Sequence, residues 1–154
     1  MSSLWSKARS SRVKGALVTN PNCRVVTELL LRQYNQRDLS VIDELVAEDH
    51  VDHHPLPGQQ PGRAGYRQSI ADVLARGNVT AEIHQSFGED DLVATRYTIT
   101  TRHNEDFMGF PTAGKTTAIH VVQINRVRDG KVAETWGESN ALAVLQQLTH
   151  GDGH

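Results

Sequence analysis

Gly77 divides this chain into two parts that obey different periodicities. Before it, apolar residues recur at helical spacing: Val26, Leu29, Leu30 and Tyr34 in one run, Tyr66, Ile70, Val73 and Leu74 in another. After it, four segments alternate between apolar and polar: 79–87, 92–102, 115–127 and 132–139. They are rich in Val, Ile, Thr and Tyr, whose side chains suit a pleated surface. Helices followed by strands joined through short turns predict an α+β fold, with the helices gathered on one face of an antiparallel sheet. A curved sheet wrapped around such helices makes a cone-shaped enclosure with room for a pocket.

Local signals set the boundaries. Asn20 is suited to cap a helix and Pro21 to occupy its first position, so helix is expected over 21–36. Asp38 is placed to cap a second, short helix carrying Val41, Ile42, Leu45 and Val46. Residues 49–62 hold three prolines and two glycines and read as a loop. A third helix follows and stops at Gly77. Gly88-Glu89-Asp90-Asp91 reads as a turn, and Arg128-Asp129-Gly130-Lys131 as a hairpin, because Asp-Gly supplies the positive φ angles such turns need. Residues 141–148 form a short closing helix or turn, and the tail 149–154 is expected to fray.

At 154 residues the chain fits a single domain, assigned to 20–150. The net charge of −2 lacks the basic excess of a nucleic-acid or membrane-surface binder, and no apolar run reaches the length of a membrane span. The single cysteine, Cys23, excludes an internal disulfide framework and favours a reducing, cytoplasmic setting. Residues 1–27 carry Lys7, Arg9, Arg12, Lys14 and Arg24 and no acid. A transit peptide shares that composition, but residues 1–19 are read as a flexible or dimer-docking basic arm.

Three places can carry chemistry. On the third strand, Ala118, His120, Val122, Ile124 and Arg126 share one face, which puts His120 among apolar neighbours. It is either a polar group in a small-molecule pocket or a core histidine with one partner. On the fourth strand Glu134, Trp136 and Glu138 share a face, with Asn140 following in phase. Either two carboxylates sit beside an indole in a pocket, where burial would raise their pKa, or this face meets solvent and Ala133, Thr135 and Gly137 point inward. The third place is His50-Val51-Asp52-His53-His54-Pro55. Its residue types suit zinc, but no third ligand stands in register elsewhere and adjacent histidines rarely share one ion, so no metal is expected. The loop 107–115 lacks the spacing of a phosphate loop and precedes a strand; its Phe107, Met108 and Phe110 are expected to cap an apolar cavity or a dimer contact. His103, just before it, lies at a rim or in solvent. No serine occupies a nucleophile-elbow context.

Taken in order, Asp52-His53-x-Pro55, Phe107-Met108-Gly109-x-Pro111, Gly114-Lys115, Asp129-Gly130-Lys131, Glu134-x-Trp136 and Gln147-Leu148 resemble the SnoaL-like polyketide cyclase (ester cyclase) family, of the nuclear transport factor 2-like superfamily. The resemblance covers about residues 22–148. It implies a cone-shaped α+β barrel that closes a polyketide ring by an intramolecular aldol reaction, in which an aspartate takes a carbonyl-flanked proton and no metal or organic cofactor takes part. It also implies that His53 is the pocket histidine. The family aspartate falls four residues after the strand tryptophan, where this chain has Asn140. Glu138 or Glu134 then replaces the base, or His120 or His53 does, or aldol chemistry is lost and Asn140 donates a hydrogen bond to an enolate or carbonyl oxygen.

The expectation is therefore a cofactor-independent cyclase or isomerase acting through an enolate on a carbonyl-rich, polyketide-like molecule. His120, Glu138 and Asn140 are the candidate catalytic residues. His53, Glu134, Trp136, Phe107, Met108 and Phe110 are the candidate substrate contacts. A homodimer is expected by fold analogy. Two other readings compete: a non-catalytic protein that binds an apolar ligand in the same cavity, and a dimerisation module that uses the open sheet face.

Overall fold

The computed structural model describes residues 20–151. The basic arm expected over 1–19, and the end of the tail, lie outside the described residues. Among the described residues four helices and five strands follow one another: α1 (Pro21–Asn35), α2 (Ser40–Leu45), β1 (Val46–Asp52), α3 (Gly62–Ala75), β2 (Gly77–Glu89), β3 (Leu92–His103), β4 (Thr116–Arg128), β5 (Lys131–Ser139) and α4 (Ala141–Gly151). The strands form one curved, unclosed sheet in the order β1-β5-β4-β3-β2. Its neighbours are antiparallel except β1, which runs parallel to β5.

The expected helices form, and α1 does so for the expected reason, whereas α2 starts from Leu39 without a side-chain cap rather than from Asp38, and ends before Val46. Asn20 accepts hydrogen bonds from the Asn22 and Cys23 amides at 2.9 and 3.3 Å, and Pro21 follows without an amide hydrogen to satisfy. One face of α1 buries Cys23, Val26, Leu29, Leu30, Gln33 and Tyr34 against the sheet. Val41, Ile42 and Val46 close the core from the next turn, and Ile70 and Leu74 from α3. The β4–β5 turn has φ of 53° at Asp129 and 75° at Gly130, as a two-residue hairpin requires.

One strand departs from the sequence reading. Residues 46–52, expected as a helix end and a loop, form β1 along the edge of β5. Its register shifts between Val46 and Val51, which breaks the alternation a strand normally shows, and Glu48 and Asp49 disfavour a strand by composition. The pairing is also non-local, so no turn signal announces it.

The other edge, β2, is guarded. The Asn35 amide accepts from the Ala81 amide at 2.7 Å and donates to the Ala81 carbonyl at 3.0 Å, standing in for one residue of a neighbouring strand. The β2 register then shifts between Ile83 and Gln85. Gly77, at the start of β2, is required by close packing, since a Cβ there would lie 2.0 Å from the Arg102 carbonyl oxygen.

Leu29 is 1% exposed at the centre of the α1–sheet contact. Leu29→Ala is expected to lower the unfolding free energy by about 2–5 kcal/mol, measured by urea denaturation. A loss well below that range would mean that the packing of α1 on the sheet contributes little to stability.

Candidate functional site

The face of the sheet that α1 covers decides what each strand residue does. On β4 it takes Ile119, Val121, Gln123, Asn125 and Val127, all partly or fully buried. On β3 it takes Thr95, Tyr97 and Ile99, and on β5 Thr135 and Gly137, which stand opposite Asn125 and Gln123. Between these strands and helices α1 and α3 lies a cavity of about 280 Å3. Its wall is apolar at Leu30, Ile70, Ile99, Ile119 and Val121, and polar groups enter it from several elements. This is the composition of a small-molecule site.

The polar groups form a connected series. Tyr97 donates to Gln123 Oε1 at 2.9 Å, Gln123 Nε2 donates to Asn125 Oδ1 at 2.8 Å, and Asn125 Nδ2 donates to Thr135 Oγ1 at 2.8 Å. Thr135 Oγ1 lies 2.9 Å from His50 Nε2 on β1. Across the cavity Tyr66 donates to Gln33 Oε1 at 2.9 Å and packs edge-on against His50 at 5.1 Å. Gln33 is 1% exposed, and its Nε2 meets no acceptor at hydrogen-bonding geometry, although the Tyr34 phenol lies close enough to feel the amide. Burial is the chief cause that raises Tyr34 to about 12 and moves Tyr66 and Tyr97 upward as well, so all three phenols keep their protons. Burial likewise holds His50 below its ordinary value, outweighing the opposing pull of Asp52. At neutral pH this series is a set of uncharged donors and acceptors.

At the cavity mouth stands Asp52. It pairs with Thr135 in the β1–β5 register and shares its strand face with His50. Its Oδ1 accepts from the His54 amide at 3.0 Å and its Oδ2 from Gln59 Nε2 at 3.2 Å, while Gln59 Oε1 accepts from the Leu56 amide at 3.2 Å. The loop between β1 and α3 therefore fixes the carboxylate. That loop rests directly on α3, since a Cβ at Gly65 would lie 1.5 Å from the Gln60 carbonyl oxygen.

Most candidates named from sequence fall elsewhere, and for His120, Glu134 and Trp136 the shared cause is strand phase. His120 is exposed on the outer sheet face, where Nδ1 lies 2.9 Å from Thr98 Oγ1, and Thr98 in turn lies 2.7 Å from His84 Nε2. Val122 and Ile124 share that face and are 50% and 42% exposed. Glu134 is on the same outer face, paired with Arg126 at 3.0 Å, and Arg126 also grips Asp91 through two bonds. Trp136 stacks outside the cone on His53, with rings 4.5 Å apart and 5° from parallel. The inward positions of β5 are the small ones. Asn140 is tied into the strand end: its Oδ1 accepts from the His120 amide at 2.9 Å and its carbonyl from the Val144 amide. Glu138 alone among the catalytic candidates reaches the cavity rim, where its side chain is 82% exposed and 3.4 Å from His54 Nδ1. Phe107 lies beneath the Arg76 guanidinium, its backbone bridges to that of Phe110, and Met108 lines a surface groove outside the cavity. The three clustered histidines diverge: His50 turns inward to Thr135, His53 outward to Trp136, and His54 toward the Gly137 carbonyl at 2.6 Å. His103 is buried, with Nε2 on Thr117 at 2.8 Å, and burial followed by the nearby Arg76 charge lowers its pKa.

Sequence reasoning missed Gln33, Tyr66, Tyr97 and Gln123 as cavity groups and Asn125 as the link between Gln123 and Thr135, and treated Asp52 only as the companion of His53. Reading 46–52 as a strand would have put His50 and Asp52 on one face.

A family model described as SnoaL-like polyketide cyclase matches residues 24–148. Among solved structures, IdmH of Streptomyces antibioticus, a candidate polyketide cyclase, is 29% identical with a TM-score of 0.71, covering 83% of this chain and 98% of its own. AclR of Streptomyces galilaeus, a candidate hydroxylase, is 27% identical with a TM-score of 0.70, covering 84% of this chain and 96% of its own. TsrD of Streptomyces laurentii shares the fold at 22% identity, with a TM-score of 0.75 over 85% of this chain and 97% of its own. No curated protein matches.

His50 and His103 are both held neutral, so the unfolded chain takes up protons that the folded chain refuses once pH drops below their ordinary value of 6.5. Their contribution is complete above 6.5 and declines as pH falls through it. The urea midpoint should fall between pH 8 and pH 5.5, and the paired His50→Gln and His103→Gln variant should flatten that slope. An equally steep slope in the variant would assign the acid sensitivity to other groups.

Proposed function

Because the chain belongs to the SnoaL-like polyketide cyclase family, we propose that it is a cofactor-independent cyclase or isomerase acting on a carbonyl-rich, polyketide-like small molecule through an enolate. The family supports the cyclase or isomerase type of role. The observation that carries the finer reading is Asp52, a carboxylate held by two hydrogen bonds at the mouth of a largely apolar cavity.

In this reading Asp52 takes the proton from a carbon flanked by carbonyls. Gln59, which has a second amide hydrogen besides the one given to Asp52, is the donor placed beside the enolate oxygen. The enolate carbon attacks a second carbonyl held against the apolar wall, and the new alkoxide recovers the proton from Asp52. The Tyr97–Gln123–Asn125–Thr135 series keeps the polar wall rigid, so that little reorganisation is needed as charge moves. His120, Glu134 and Asn140 then serve the sheet rather than the reaction. Val122 and Ile124, exposed side by side on the outer face, support reading that face as the contact of a homodimer. Ile124→Glu should shift the mass in light scattering from dimer to monomer, and a mass unchanged from the wild type would remove this face from the interface.

Carbon acid chemistry can be tested without the natural substrate. Exchange of the α-hydrogens of 2-tetralone in deuterated water, followed by proton NMR, should be faster with the protein than in buffer. Asp52→Asn should slow the catalysed exchange by about 10²-fold or more with an unchanged circular dichroism spectrum. His120→Ala should leave the rate as it is. Equal exchange by the Asp52→Asn variant and the wild type would sink Asp52 as the base.

A further inference from the structure

Outside the cone, between α3 and the loop that precedes it, runs a surface groove of about 370 Å3. It adjoins the cavity, since Leu56, Gln59 and Ser69 line both. Its far end is formed by Arg76 and Met108. Arg76 is half-buried, with its guanidinium 4.2 Å above the centre of the Phe107 ring. Among the described residues no carboxylate lies within ion-pair distance of it, although Arg32, Arg63, Arg67, Arg126 and Arg128 all have such partners. Asp72, the acid that lines the same groove, accepts instead from Gln68 Nε2 at 2.9 Å.

A cation partly removed from water and lacking a counter-ion is an incomplete interaction. The aromatic face beneath it offsets part of its desolvation and fixes its plane, but leaves its donors unused. Those donors match the geometry of a carboxylate, sulfonate or phosphate. We propose that the groove is the second half of the binding site and that Arg76 takes an anionic group carried by the molecule whose body occupies the cavity. This rests on the cavity being a small-molecule site, as in the function proposed above, and narrows the substrate class to a carbonyl-rich body with an acidic appendage.

Two fluorescent probes share one skeleton and differ by the anion: N-phenyl-1-naphthylamine is neutral, and 8-anilinonaphthalene-1-sulfonate carries a sulfonate. The wild type should bind both and should hold the sulfonate at least about tenfold tighter. Arg76→Leu should remove that advantage and leave the neutral probe unchanged. Asp72→Asn removes a negative charge from the groove, and should tighten the sulfonate alone. A loosened fold would strengthen both probes together, so the neutral probe reports misfolding. Equal binding of the two probes by the wild type would overturn the anion site while leaving the cavity reading intact. Failure of both probes to bind would overturn the cavity reading, and the groove proposal with it.

Discussion

The position of α1 across one face of the sheet is the constraint from which the rest follows. Burying Val26, Leu29 and Leu30 supplies the apolar driving force, and the same contact declares that face the interior. Strand residues alternate, so one decision of phase assigns most side chains of β3, β4 and β5 to interior or solvent, with a slip where the β4–β5 register shifts beside Val127. Once Gln123 and Asn125 are inside, they must find partners among themselves, and Tyr97, Thr135 and His50 complete the series. The polar wall of the cavity is thus a consequence of burying amides on a sheet that a helix covers.

Much of the fold was legible because its signals are local. The Asn20 cap, the period of α1 and α3, and the Asp129-Gly130 turn each depend on residues within a few positions of one another. The strand β1 was not legible, since its partner lies 80 or more residues away and its register slips along the pairing. The polar lining of the cavity was not legible for a different reason. On β4 the apolar Val122 and Ile124 mark the outer face and the amides Gln123 and Asn125 the inner one, the reverse of the usual pattern. On β5 the large Trp136 looked inward-facing, but it is sheltered by stacking on His53 rather than by the core. Hydrophobicity alone therefore pointed to the wrong side of two adjacent strands. The error propagated to His120, Glu134 and Trp136 together because they share that side.

The site has a division of labour set by which elements are rigid. The amide and phenol series sits on paired strands and buried helix faces, where rotamers are fixed by packing. Asp52 lies where the sheet ends, oriented by the loop through the His54 amide and Gln59. Gln59 lines the inner cavity and the outer groove alike, so the residue that orients the carboxylate also stands at the junction of the two spaces.

The Asn35 pairing with Ala81 has a meaning beyond the stability of α1. A sheet that does not close leaves one edge of β2, a strand of 13 residues, without a neighbouring strand, a template on which an extended chain could add. One side-chain amide blocks that template at its centre, and the register shift at His84 bends it just beyond. A cone can therefore stay open toward its ligand without inviting polymer growth along its rim.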